Sequence, residues 1–178
     1  YLYLNLDNAE ASGSIVTAAS SSSITVSQSN GFNSNGDDYI AYLFGHSDSG
    51  PIQCGQYTGN GNATGPEVNL GFEPQFLMVK RADTAGPGWN VYDNARGVST
   101  SGNDKELVWN TSAAEVDAER LKFTSTGFQP TVSTGQINGS GVYIYMAIAA
   151  ESATTTTYNN TIDWPGGTAP TSPAIGET

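Results

Sequence analysis

One apolar segment occurs twice in this chain, and the repetition limits the folds that the chain can adopt. Tyr39–Phe44 reads Tyr-Ile-Ala-Tyr-Leu-Phe, and Tyr143–Ile148 reads Tyr-Ile-Tyr-Met-Ala-Ile. An Asn-Gly pair, which is a turn signal, precedes each of them at residues 35–36 and 138–139. An uninterrupted apolar run between turn residues predicts a central strand of a β-core. We therefore expect more than one copy of a single β-module.

The composition agrees with a β-protein that is rich in turns. The 178 residues include 21 glycines, and only 13% of the side chains are charged. No segment keeps apolar residues at helical spacing for three turns. The sequence predicts an all-β fold, an antiparallel β-sandwich of jelly-roll or lectin-like type.

The charge and the single cysteine exclude several classes of protein. The net charge is −11, and all six Lys and Arg residues lie between residues 80 and 122, so a nucleic-acid partner is not expected. No window reaches the roughly 18 consecutive apolar residues of a membrane span. Cys54 is the only cysteine, so no internal disulfide can form, and its alternating apolar surroundings predict a buried thiol.

The two copies of the module differ in completeness. Residues 51–150 hold a complete copy, whereas residues 1–50 hold the C-terminal half of a first copy, or alternatively strands that complete the second. Residues 151–178 are rich in Thr, Pro and Gly and are expected to form an extended linker. The strands predicted in the complete copy are Ile52–Tyr57, Glu67–Leu70, Gln75–Arg81, Trp89–Asp93, Leu107–Asn110, Leu121–Thr124 and Tyr143–Ile148.

Two local devices also recur. The first is a strand followed by a short, capped helical turn. It is predicted at residues 1–6 with the turn at Asp7–Glu10, and again at residues 107–110 with the turn at Ser112–Glu115. A Gly-Phe pair occurs at residues 31–32 and again at 127–128. We expect each glycine to adopt a positive φ and each phenylalanine to fill the core.

Catalytic chemistry finds no support in the sequence. His46 is the only histidine, and its neighbours Ser47 and Asp48 are consecutive with it, whereas a nucleophile relay needs partners from separate segments. Asp93 and Arg96 predict a local ion pair. Seven acids lie in the same central region as the six bases, and we expect them to form ordinary surface ion pairs with these bases. They are Asp83, Asp93, Asp104, Glu106, Glu115, Asp117 and Glu119. We expect neither an enzyme nor a cofactor.

Metal and ligand sites have weak candidates. Residues 35–38, Asn-Gly-Asp-Asp, are rich in oxygen ligands but lack the spacing of an EF-hand, so a hairpin turn without a metal is expected. Sugars stack on aromatic rings and pair with amides, so an exposed cluster of such side chains would be lectin-like. Its candidate residues are Tyr57, Asn60, Asn62, Trp89, Tyr92 and Gln129, although aromatic rings of this kind are more often part of the core.

A series of motifs carries a family resemblance. Residues 71–81, Trp89, 92–93, 96–97, Asn110, 114–115, 127–128, 138–139 and 143–145 occur in this order, and Asp163–Pro170 follows them. The series resembles the repeated β-modules of tailed-phage tail fibres and related virion structural proteins, notably those of marine and cyanobacterial phages. The resemblance covers about residues 1–170.

This resemblance implies a non-enzymatic appendage on the virion surface. It implies a rigid spacer that can contact host surface glycans, and a homo-oligomer, with a trimer favoured, or an assembly with other virion proteins. It brings no catalytic residue. The alternative hypothesis is a carbohydrate-binding β-sandwich module of a secreted or cell-surface protein.

Overall fold

A computed structural model of the protein describes residues 1–13, 15–27, 33–98 and 105–150. The first Gly-Phe pair, Asp104 and the predicted linker 151–178 lie outside these residues. In the described ranges every regular element is a β-strand. No helix there has the length and apolarity to cross a membrane.

The strands run from β1 to β11 along the chain. They are β1 (Val16–Ala19), β2 (Ile24–Val26), β3 (Ile52–Gly59), β4 (Val68–Asn69), β5 (Pro74–Arg81), β6 (Trp89–Asp93), β7 (Lys105–Val108), β8 (Val116–Asp117), β9 (Leu121–Thr124), β10 (Gly127–Pro130) and β11 (Gly141–Ala149). Most of the predicted strands are confirmed, β6 with the predicted bounds and β5 and β3 nearly so.

All of the strand pairs are antiparallel. A six-stranded sheet has the order β3-β11-β5-β6-β7-β8, a three-stranded sheet has the order β4-β10-β9, and β1 and β2 form a separate exposed hairpin. Tyr143–Ile148 belongs to β11, which pairs with β3 on one side and with β5 on the other. The prediction of a central strand is therefore confirmed for Tyr143–Ile148, and so is the all-β class with antiparallel sheets consistent with a sandwich.

The core lies between the six-stranded and three-stranded sheets. Alternate residues of β5 and β11 point into it, and Phe123 and Phe128 meet them from β9 and β10. The Tyr57 ring stacks on the Tyr143 ring, with 5.0 Å between centroids, and meets the Phe128 ring edge-on at 5.7 Å. Each buried ring removes a large apolar area from water, so these packed rings contribute strongly to the stability of the core.

The opposite face of the six-stranded sheet is also apolar. Cys54, Met146, Met78, Val91 and Leu107 are cross-strand neighbours in one row over five strands. Residues 1–11 cover one end of this face: Tyr3 O accepts a hydrogen bond from Trp89 Nε1 at 2.9 Å, and Glu10 N donates to Ala82 O at 2.7 Å.

The prediction of a strand at Tyr39–Phe44 is wrong for this chain. The segment forms no strand, and its side chains are exposed, with Ile40 at 83% and Tyr42 at 81%. The physical reason is the lack of partner strands: β11 is held by β3 and β5, whereas no strand of the described residues pairs with Tyr39–Phe44. A strand without a partner leaves its backbone groups unpaired and is not stable alone.

The two capped turns are also not formed. Residues 1–6 form no strand, and neither residues 7–10 nor residues 112–115 are helical. Residues 7 and 10 instead bond the β5–β6 connection. Gly86 N donates to Asp7 O at 3.0 Å, and Glu10 N donates to Ala82 O. Tertiary hydrogen bonds thus take the backbone groups that a helical turn would have used.

Gly127 has a different role from the one predicted. It is absent from the positive-φ glycines of the described chain. A Cβ at this position would collide with the Val68 carbonyl oxygen, because β10 approaches β4 closely there. Phe128 is fully buried, as predicted.

Candidate functional site

The six predicted ligand residues do not form one surface cluster. Tyr57 and Trp89 are 8% exposed and Tyr92 is fully buried. The Tyr57 hydroxyl donates to Ile137 O at 2.6 Å, and Trp89 lies beneath the segment that contains Tyr3. The three rings are core residues, which is the reading that the sequence favours for such aromatics, and all three are used for packing.

The polar candidates do come together. Asn60 and Asn62 lie on the loop after β3, and Gln129 Nε2 donates to Gly65 O of the same loop at 3.1 Å. Asn138, fully buried, fixes this loop: its Nδ2 donates to Asn60 Oδ1 at 3.0 Å and to Asn62 O at 2.8 Å, and its Oδ1 accepts from Asn60 N at 3.0 Å. The sequence marked Asn138 only as a turn residue, since its partners lie far away along the chain.

These amides lie at one end of the sandwich. The unit from β3 to β11 has its first and last residues side by side at the other end, where Ala149 N donates to Pro51 O at 2.8 Å. Arg81 stiffens the end that carries the amides, because its guanidinium pairs with Asp83 at 2.8 Å and donates to Ser140 O at 2.9 Å. The hydrogen bond from the Arg81 guanidinium to Asp83 holds the pKa of the Asp83 carboxyl below its usual value. We call this end, made of residues 60–66, 82–88 and 131–140, the distal end.

A buried polar group lies between β6, β7 and the β8–β9 connection. Glu106, 3% exposed, accepts a hydrogen bond from the Tyr92 hydroxyl and forms an ion pair with Arg120 Nε at 2.8 Å. Asn90 and Glu106 both line a cavity of about 170 Å³. Asn90 Oδ1 is buried and has no hydrogen-bond partner within the described ranges. The carboxylate of Glu106, which is paired with Arg120, has a structural role.

His46 and Cys54 are neighbours but do not make a reactive pair. His46 Nδ1 accepts a hydrogen bond from the backbone N–H of Cys54 at 3.3 Å, and its Nε2 lies 2.9 Å from Asp48 Oδ1. The thiol is half-buried on the outer sheet face, not fully buried as predicted. Burial raises its pKa, which disfavours the nucleophilic thiolate.

In the central region, most of the acids that the structure describes are paired with bases. Asp93 Oδ2 lies 2.6 Å from Arg96 Nε, which confirms the predicted local pair, and Glu115 lies between Arg96 (3.3 Å) and Lys105 (3.6 Å). No group of three His, Cys, Asp or Glu in the described part of the chain is placed to hold a metal ion.

Two uncharged elements follow one another in the chain, one an exposed segment and the other a strand with a free edge. The first is Tyr39–Phe44. The second is β3, an edge strand of the six-stranded sheet. They are joined by a turn in which Ser47 N donates to Ile52 O at 3.2 Å. The other edge strand of that sheet, β8, is only two residues long and is paired through Lys105 and Asp117 at 2.8 Å.

The fold and these surfaces define an all-β sandwich module. Its most distinctive features are the loops of the distal end and the exposed apolar segment Tyr39–Phe44. A family model matches residues 1–152, and the chain belongs to that family, the domain of unknown function DUF7483. Comparisons with the curated proteins and with the solved structures found no match.

Proposed function

We propose that this chain is a non-enzymatic structural module of a virion appendage such as a phage tail fibre, located at the particle surface. Its task would be to build the appendage and to present a surface to the host. The proposal begins from the resemblance of its motifs to the repeated modules of tail-fibre proteins.

The observation that carries the proposal is where those motifs lie. Asn110 Oδ1 accepts from Trp89 N at 2.9 Å and so ties the β7 end to β6. Asp93 and Arg96 close the turn after β6, and Asn138 holds the distal loops. The residues that carry the resemblance therefore hold the sandwich together, which supports a module selected for rigid architecture.

The geometry favours a lobe more than an in-line rod. The first and last strands of the unit, β3 and β11, are antiparallel neighbours, and Pro51 and Ala149 lie side by side. A chain that passes through such a unit returns to the point at which it entered. The distal end would then project from the appendage, and its loops would be the part that meets a host surface.

The proposal is tested on particles from the producing host. Antibodies raised against residues 51–150 should label purified virions at their appendages, and mass spectrometry should find the chain in fixed ratio to other virion proteins. Recovery of the chain only from the particle-free fraction, or attached to a secreted enzyme, would overturn it.

A second candidate function is binding of carbohydrate at the distal end. It is favoured by the exposed amide of Asn62 on the distal loop, since amides can pair with sugar hydroxyls. Asn60 Nδ2 and Gln129 Nε2 hold that loop in place through bonds to Thr64 O and Gly65 O. A glycan array should then give a hit that Asn62→Ala abolishes. Asn94→Ala, an exposed asparagine in the turn after β6 at the opposite end, is the matched control and should leave it unchanged. Equal binding by both variants would reject the site.

A further inference from the structure

We propose that Tyr39–Phe44 is a docking strand that adds to the free edge of β3 in a second copy of this chain. Two copies would exchange this segment reciprocally and form a two-fold dimer. The inference adds a partner to the proposed appendage function, but it depends only on the features described below.

The first step is the nature of the segment. Tyr39–Phe44 has the composition of β11 and follows the same Asn-Gly signal, yet it lies in solvent with Leu43 72% exposed and Phe44 54% exposed. A contiguous exposed run of this kind marks an interaction site or an aggregation hazard. Since its apolar side chains alternate onto both faces, a sheet edge that offers backbone partners and apolar neighbours suits it best.

The second step is the state of the β3 edge. Pro51 O bonds Ala149 N, and the register continues in steps of two, so the odd-numbered residues of β3 bond β11. The backbone groups of the even-numbered residues consequently point outward. Among the described residues, nothing bonds the outward N–H and C=O of Gln56 and Thr58, whose side chains are also exposed. A long, uncharged edge of this kind is a template for pairing.

The third step fixes the register. Ser47 N already bonds Ile52 O, and His46 Nδ1 accepts from Cys54 N, so a hairpin begins at the turn but is not continued. Extending the same antiparallel register places Leu43 opposite Gln56 and Ala41 opposite Thr58. Tyr42 then lies on the inner face beside Tyr57, where it would cover the rim of the core.

The fourth step selects a second copy as the partner. Within one chain the segment leaves the β3 edge at once and remains exposed, so the edge is not filled from its own chain. Every copy carries both the segment and the edge, and residues 47–51 between them form a hydrogen-bonded turn that would open as the hinge of the exchange. Reciprocal exchange satisfies both elements in both copies and closes with two-fold symmetry. Both contact elements lack charge, which suits association between two chains of net charge −11.

Sedimentation velocity and hydrogen exchange on the full chain test the inference. The wild type should sediment as a dimer that dissociates on dilution. In the dimer the amides of Ala41 and Leu43 should be protected while those of Ile40 and Tyr42 exchange, and dilution should remove the protection.

Two substitutions address the two sides of the contact. Tyr42→Glu removes apolar area from the segment, and Gln56→Pro removes one outward N–H from an edge strand, a position where proline is tolerated. Each should shift the protein to monomer, with circular dichroism showing that β-structure is retained. Val116→Glu is the control, since Val116 is 47% exposed on the other edge of the same sheet, and it should remain dimeric.

Three results would overturn the inference. They are a monomer at every concentration, a monomer in which Ala41 and Leu43 are already protected by the chain's own β3, and a dimer that survives both substitutions. None of them affects the appendage proposal, because labelling of particles does not depend on this contact.

Discussion

Glu106 shows at the scale of single residues how much stability one buried carboxylate can carry. It is 3% exposed and binds both the Tyr92 hydroxyl and the Arg120 guanidinium. Glu106→Ala should lower the free energy of unfolding by about 3 kcal/mol, because Arg120 would keep its charge in a largely buried site without this partner. Urea unfolding measures the change. Asp117→Ala, which removes an exposed partner of Lys105, should cost less than about 1 kcal/mol.

Tyr57 makes stability depend on alkaline pH. The main effect is burial, which raises the pKa of its hydroxyl, and the neighbouring Tyr143 hydroxyl raises this pKa further. Below the ordinary tyrosine pKa of about 10 both states keep the proton; above it the unfolded state loses the proton first, so stability falls by up to about 1.4 kcal/mol per pH unit for this residue. Unfolding followed above that pH should show a shallower decline for Tyr57→Phe than for the wild type. Tyr42→Phe, with an exposed ring, should keep the wild-type slope.

Residue-scale prediction from the sequence succeeded where partners are close in the chain. Asp93 and Arg96 lie three residues apart and were predicted as a pair on that ground. Asn138 bonds Asn60 and Asn62 at a separation of more than 70 residues, and only the packed sheets bring them together. For the same reason the sequence could name the distal amides as candidates but could not show that the three aromatic candidates are buried.

At the scale of elements, the close approach of β10 to β4 depends on Gly127. A Cβ there would collide with the backbone oxygen of Val68, and a backbone atom cannot rotate away as a side chain can. Gly127→Ala should therefore destabilise the protein by about 2–3 kcal/mol. Gly45→Ala is the matched control, because a Cβ at Gly45 meets no atom within 4 Å, and it should change stability by less than about 0.5 kcal/mol. Equal thermal midpoints for the two variants would contradict this account.

Strands were predictable from pattern, whereas their pairing was not. β5, β6 and β11 follow from apolar or alternating runs bounded by turn residues. Tyr39–Phe44 has the same pattern as β11, but no strand of the described residues pairs with it, so it is not a strand here. The sequence pattern shows that a segment can form a strand, and the presence of partner strands decides whether it forms one.

At the scale of the whole molecule, the net charge of −11 should oppose association of two copies. Asp37, Asp38 and Asp48 flank the proposed docking strand and would come near the acidic surface of the partner. Salt screens such exposed charges, with a Debye length that falls from about 30 Å at 0.01 M to about 10 Å at 0.1 M ionic strength. The contact itself consists of backbone hydrogen bonds and uncharged side chains, so it gains from screening and loses no attractive ion pair.

The dissociation constant of the dimer should therefore decrease as sodium chloride is raised over this range, as measured by sedimentation equilibrium. Asp37→Asn combined with Asp38→Asn should tighten the dimer at low salt and flatten its salt dependence, since part of the repulsion is then absent. An exposed acid far from the contact, Asp117, gives the control Asp117→Asn, with a smaller effect expected. Weakening of the dimer by salt would instead mean that ion pairs hold the two copies together, and would argue against an uncharged strand at the interface.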